Sequence, residues 1–258
     1  MLFDTHCHLN DEQFSADLDE VVLRARDAGV RQILVPGVDV ESSRRAVAIA
    51  EKYEGVYAAV GIHPEAAKDV PARDFDSIES LAAHDKVVAI GEIGLDYYWD
   101  AAPRDEQQDV FRRQLEMASR LGLPAVVHNR DATADTVRLI ETTCPGKLAG
   151  VMHCFTGSAE IAMQCIRAGF FISYGGPLTF KNAHNVREVC AKVPLESLLI
   201  ETDSPYLTPE PFRGKRNEPA RVVHVCDKMA ELFGMESPSL GDTVRNNAYR
   251  LFNKVSPL

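Results

Sequence analysis

The chain has no C-x-x-C pair, no G-x-G-x-x-G after its first apolar run, and no long Pro/Gly/Ser linker. No apolar stretch approaches the roughly 20 residues that span a bilayer. Positive charge is scarce: 28 Lys and Arg against 38 Asp and Glu leave a formal charge of −10. Each absence removes a class of protein. Without a C-x-x-C pair in 258 residues, a redox dithiol or disulfide scaffold is excluded. Cys7, Cys144, Cys154, Cys165, Cys190 and Cys226 then read as small buried apolar residues. The opening MLFDTHCHLNDE lacks the basic start of a targeting peptide, so a cytoplasmic location and no membrane association are expected. The missing glycine fingerprint argues against an open dinucleotide-binding sheet. An acidic surface repels polyanions at long range, which excludes a protein that coats nucleic acid but not an enzyme gripping one phosphate locally.

What is there is a recurring pattern. Apolar runs at 2–5, 32–35, 56–60, 87–90, 125–127, 149–152, 170–173 and 198–200 alternate with segments of helical spacing. Several runs are nearly continuous in Val, Ile, Leu and Ala, as parallel strands buried on both faces require. Leu18, Val21, Val22 and Ala25 show the helical rule in the first intervening segment. Gly29, Gly122 and Gly169 each stand where a helix ends and a strand begins, a left-handed position that glycine fills. Eight such units predict an α/β fold, a (β/α)8 TIM barrel formed as a single domain over residues 1–258.

Five of the eight histidines fall at predicted strand ends: His6, His8, His63, His128 and His153. Glu92 and Asp203 end two further strands. In a barrel these positions share one rim, where active sites are built. Strand alternation puts His6 and His8 on one face and turns Cys7 away, and it turns Cys154 away beside His153. Asp4 lies one layer deeper, where it could orient a ligating imidazole. His84, His184 and His224 lie elsewhere and read as ordinary polar residues. His6, His8, Glu92, His128, His153 and Asp203 are six polar groups on an apolar barrel that need partners, and imidazole with carboxylate suits divalent metal. Six ligands exceed one tetrahedral site and would fill two sharing a carboxylate.

The stretches FDTHCHL at 3–9, GIHP at 61–64, GEIGLDYY at 91–98, VVHNRDA at 126–132, HCFTG at 153–157, ETDSPYL at 201–207 and RGKRNEP at 213–219 span the chain. In these the sequence resembles the TatD-type deoxyribonucleases, metal-dependent hydrolases of the amidohydrolase-like barrel superfamily. The resemblance implies one metal on His6, His8, Glu92 and Asp203 and a second on Glu92, His128 and His153, with Glu92 bridging. Many amidohydrolase-like barrels bridge with a carbamylated lysine; glutamate fits the TatD branch. The resemblance also implies DNase activity, in some members exonucleolytic from the 3′ end.

The chemistry predicts two divalent ions (Mg, Mn, Zn, Ni or Fe) that lower the pKa of water and neutralise phosphoryl charge. Asp203 is the candidate proton acceptor and Glu92 the catalytic bridge, with Glu201 in support. Phosphate contacts are expected from His63, Arg130 and the basic loop Arg213, Lys215 and Arg216. Tyr97, Tyr98 and Trp99 could stack a base, or pack under their own helix. The expected partner is DNA or another phosphodiester bound at the rim by a monomer. An ester or amide hydrolase, such as one acting on an aminoacyl-tRNA, is the alternative. A non-catalytic binding protein fits less well, since structural metal sites close their coordination.

Overall fold

Eight apolar runs pair side by side in sequence order, every adjacent pairing parallel. The computed structural model describes residues 1–99 and 101–257. The strands are β1 (Leu2–Asp4), β2 (Val30–Pro36), β3 (Val56–Val60), β4 (Val87–Asp96), β5 (Ala125–Arg130), β6 (Gly150–Met152), β7 (Phe170–Tyr174) and β8 (Leu198–Ile200). The sheet closes on itself beyond β1 and β8. Thr5 N–H donates to the Ile200 carbonyl at 3.2 Å, Asp203 N–H donates to the His6 carbonyl at 2.9 Å, and Cys7 forms a parallel bridge with Ser204. The predicted TIM barrel is the fold.

One helix follows each of the first seven strands: α1 (Leu18–Asp27), α2 (Val40–Lys52), α3 (Ala72–Ala82), α4 (Arg104–Leu121), α5 (Thr133–Thr143), α6 (Ala159–Arg167) and α7 (His184–Cys190). Helices α8 (Val222–Phe233) and α9 (Ser237–Leu251) follow β8. In α1 the apolar stripe is used as its spacing requires, with Val21, Val22 and Ala25 buried. Gly29, Gly122 and Gly169 adopt φ of 86°, 66° and 94°, ending their helices in the left-handed region. No helix among the described residues is long and apolar enough to cross a membrane.

The apolar core forms two groups. The larger lies between strands and helices; the smaller draws Phe3, Leu34, Ala59, Val126, Val151 and Leu199 from six strands into a layer inside the barrel. Leu251 and Phe252, at the end of α9, pack against that layer.

Strand β4 differs most from its predicted extent. It runs to Asp96 rather than ending near residue 90, and it is buried along its whole length. Its register against β5 slips between Ile90 and Ile93, so three steps on β4 match two on β5. Such a bulge re-aims side chains. Gly94, at φ 146°, lets the strands stay paired beyond it: a Cβ there would stand 2.0 Å from the His128 carbonyl oxygen.

Candidate metal centre

Alternation along a strand sets His128 two residues beyond Val126, His153 beyond Val151 and Glu201 beyond Leu199. The apolar layer inside the barrel therefore carries a polar layer directly above it. Glu92, placed at the β4 bulge, lies at the middle of that layer and is only 3% exposed.

The two oxygens of Glu92 face different partners. Oε2 lies 3.3 Å from His6 Nε2 and 3.5 Å from His8 Nε2. Oε1 lies 2.9 Å from His153 Nε2, 3.0 Å from His128 Nδ1 and 3.5 Å from His63 Nε2. Asp203 completes the first group, its Oδ1 3.5 Å from His8 Nε2 and 3.7 Å from His6 Nε2. All six residues read as ligands from the sequence thus converge, and His63, read there as a phosphate contact, stands among them. Asp203 reaches this place through a left-handed backbone, φ 55°, just beyond β8. Its carboxyl remains 14% accessible, more open than that of Glu92.

Two carboxylates hold the far sides of the rings. Asp96 Oδ2 lies 2.9 Å from His128 Nε2, and Glu201 Oε1 lies 3.3 Å from His153 Nδ1 while also accepting the Cys154 N–H at 2.7 Å. With a proton on each of those far nitrogens, His128 Nδ1 and His153 Nε2 present lone pairs to the centre. His63 is fixed differently: its Nδ1 accepts the Glu65 N–H at 3.2 Å, which leaves Nε2 for Glu92. Asp4 does not orient an imidazole. Its oxygens accept from the Thr202 N–H and hydroxyl, at 2.9 and 2.6 Å, so it ties β1 to β8 beneath the site. Asp96 stands out only in the structure, because the sequence shows neither that β4 extends to it nor that it faces β5.

Electrostatics and geometry agree that the cluster suits cations. Burial alone would raise the Glu92 carboxyl, but His153, His6 and His63 outweigh it and hold the group well below the usual carboxylate range. Burial lowers His153, yet Glu92 and Glu201 drive it well above its ordinary value. Burial, then the charge on His153, pushes His6 down. Protons therefore cannot satisfy every ring at once. His6 Nε2 and His8 Nε2 are 3.1 Å apart, and His128 Nδ1 and His153 Nε2 are 3.3 Å apart. Each pair can share one ring proton as a hydrogen bond, or turn both lone pairs toward one cation. His6 Nδ1 and Glu201 Oε2 are buried without a hydrogen-bond partner among the described residues. Imidazole and carboxylate donors gathered this closely match divalent transition metals. Among the described residues, the groups of three or more possible ligands include His6, His8 and Asp203, and His63, Glu92 and His128; no cysteine joins one. Cys7 is fully buried, as its strand phase predicts. Cys154 departs from simple alternation, since its φ of 44° ends the extended run at His153.

The residues expected to meet phosphate divide into two sets. Arg130 stays at the rim, its guanidinium carbon 3.8 Å from the centre of the Tyr98 ring. Tyr97 turns away to the helices: its hydroxyl donates to Asp135 at 2.9 Å and accepts from Gln108 at 2.8 Å. In the basic loop, Arg216 makes two bonds to Asp17, at 2.6 and 2.8 Å, and Arg213 donates to the Thr208 carbonyl over the Phe180 ring. Lys215 has no carboxylate partner among the described residues. The loop's anchor is Asn217, fully buried, whose amide donates to the Thr202 and Tyr206 carbonyls. Much of RGKRNEP is therefore scaffold for the segment carrying Asp203.

Comparison with known proteins agrees with this arrangement. Residues 3–253 match the family model described as TatD related DNase. The chain is 50% identical over 252 residues to an uncharacterized metal-dependent hydrolase, YabD, of Bacillus subtilis, covering 98% of this chain and 99% of that one. It is 36% identical over 256 residues to a protein of Shigella flexneri named 3′-5′ ssDNA/RNA exonuclease TatD, with 97% and 98% covered. The crystal structure of the TatD homolog YjjV from Escherichia coli superposes with a TM-score of 0.93 at 34% identity, covering 99% of this chain and 98% of that one. A barrel of this topology, a rim of imidazoles around one buried glutamate and a match over nearly the whole chain lead to one assignment: the protein belongs to the TatD-related DNase family and is a metal-dependent hydrolase.

Proposed function

We propose that the protein is a two-metal phosphodiesterase that cleaves DNA, as an exonuclease acting from the 3′ end. The observation that carries this reading is Glu92, whose two oxygens each face a separate set of imidazoles. His6, His8 and Asp203 would hold one ion with Glu92 Oε2, and His128 and His153 the other with Oε1. The name of the Shigella relative supports a nucleic-acid substrate and an end-directed cut.

Divalent ions bound there would lower the pKa of water and neutralise charge building on phosphoryl oxygens. The chain's own residues do the rest. Asp203, held below the usual carboxylate range by His8 and His6 despite its burial, is ionised at neutral pH and is the proton acceptor of this reading. Glu92 stays ionised and keeps the two sets of rings in one register. Lys215 and Arg130 bring the positive charge that a backbone phosphate needs in an otherwise acidic protein.

The test is turnover of a 3′-labelled single-stranded DNA by chelator-stripped protein, reloaded with Mg, Mn, Zn, Ni or Fe in turn. Nucleotide release from the labelled end is expected with at least one metal. Hydrolysis of an aminoacyl ester with no cleavage of any phosphodiester would overturn the proposal. Glu92→Gln is expected to lower both metal content and rate, and full loading with normal turnover would contradict its bridging role.

A further inference from the structure

The chain contains a single tryptophan, and it is not in the core. Trp99 is 51% exposed and its neighbour Tyr98 is 54% exposed, among the most open large apolar side chains described. Their rings meet edge to face, with centroids 4.8 Å apart. The Arg130 guanidinium lies over both, 3.8 Å from the Tyr98 centroid and 5.5 Å from that of Trp99. Two exposed aromatic rings and a cation at the rim offer apolar ring surface beside positive charge.

This shelf is tied to the centre by one side chain. Asp96 Oδ1 accepts the backbone N–H groups of Tyr98 and Trp99 at 2.9 and 3.0 Å, while its Oδ2 holds His128 Nε2. Arg130 stands two residues beyond His128 on β5, so alternation directs both to the same face. No carboxylate among the described residues pairs with Arg130, so none of them competes with an anion for its N–H edge. A ligand that is both aromatic and anionic fits this arrangement, and a nucleotide has a base for the rings and a phosphate for the guanidinium.

We propose that Tyr98, Trp99 and Arg130 form a subsite that stacks one unpaired nucleobase of the substrate, with Asp96 fixing its distance from the metal centre. The inference rests on the phosphodiesterase reading and names the residues that select nucleotide over other phosphodiesters. Trp99 reports on the subsite directly, since all tryptophan fluorescence comes from it.

Metal-loaded protein is titrated with a phosphorothioate-linked oligothymidylate, which resists cleavage, and with an abasic oligomer of equal length. Saturable quenching by the first and little by the second is expected. Equal quenching by both, or none by either, overturns the subsite. With cleavable substrates, Tyr98→Ala and Trp99→Ala are each expected to cut the kcat/KM preference for thymidylate over abasic substrate by about 5- to 150-fold, the size of one base–aromatic stack. Trp99→Phe is expected to restore most of that preference, and an unchanged preference in the alanine variants contradicts the proposal. Absence of phosphodiester cleavage by the unaltered protein would instead defeat the phosphodiesterase reading, and the fluorescence titration would still decide whether the shelf binds a base.

Discussion

Asp96 is 1% exposed and touches three things at once: His128 and the two backbone N–H groups that open the loop beyond β4. Asp96→Asn keeps the shape but can turn an N–H₂ toward His128 Nε2 and favour the wrong tautomer. Metal affinity is expected to fall about 10- to 100-fold, the usual effect of losing such a ring-orienting partner. Calorimetric titration of chelator-stripped protein with Mn²⁺ measures this, and unchanged affinity would remove the positioning role. Glu201→Gln is expected to act in the same way through His153. The ligands themselves were legible because strand periodicity and residue type determine them: alternation puts His6 with His8 and His128 above Val126. Of their carboxylate partners, Glu201 was legible as a support two residues before Asp203, but Asp96 was not, because it matters through contacts that cross between strands. The closeness of His63 to Glu92 was hidden for a similar reason. Its ring direction depends on the Glu65 N–H bond that caps the turn after it.

At the scale of elements, the segment after β8 is the part whose role changed most. Its basic residues suggest a phosphate clamp, yet the structure uses Arg216 to join α1 and Asn217 to hold the carbonyls around Asp203. Asn217→Ala leaves the buried Thr202 carbonyl and the part-buried Tyr206 carbonyl without their donor, and a stability loss of about 1–3 kcal/mol is expected. Chemical denaturation reads that loss, and weaker metal binding should accompany it as Asp203 loosens. An unaltered denaturation midpoint would show that the anchor is dispensable. Lys215 and Arg216 then separate by experiment. Lys215→Ala is expected to raise KM for DNA by up to about five-fold, the size of one exposed charge contact. Arg216→Ala is expected to act mainly through the Asp17 pair, with a smaller change in KM; the reverse order would return the phosphate role to Arg216. The lengths of β4 and β5 escaped the sequence because a bulge at Glu92 and a glycine at 94 read as strand ends, whereas close pairing with β5 carries the strand through both.

For the whole molecule, the eight-unit repeat made the fold readable from length and pattern alone, and closure of the sheet explains why groups near positions 6, 92, 128, 153 and 203 meet. Closure also creates the problem that cations solve. Glu92, Asp96 and Glu201 are buried beside rings that cannot all be protonated together. Metal that binds the folded chain and not the unfolded one must stabilise it, by about 2.7 kcal/mol at a concentration 100 times its dissociation constant. Differential scanning calorimetry is expected to show a higher Tm for loaded than for stripped protein, and equal values would mean that the cluster holds no ion. The most direct test of the shared glutamate is anomalous diffraction from crystals grown with Mn²⁺. Two peaks are expected, one against each oxygen of Glu92, with His6, His8 and Asp203 around one and His128 and His153 around the other. A single peak away from Glu92, or none at the rim, would contradict the account.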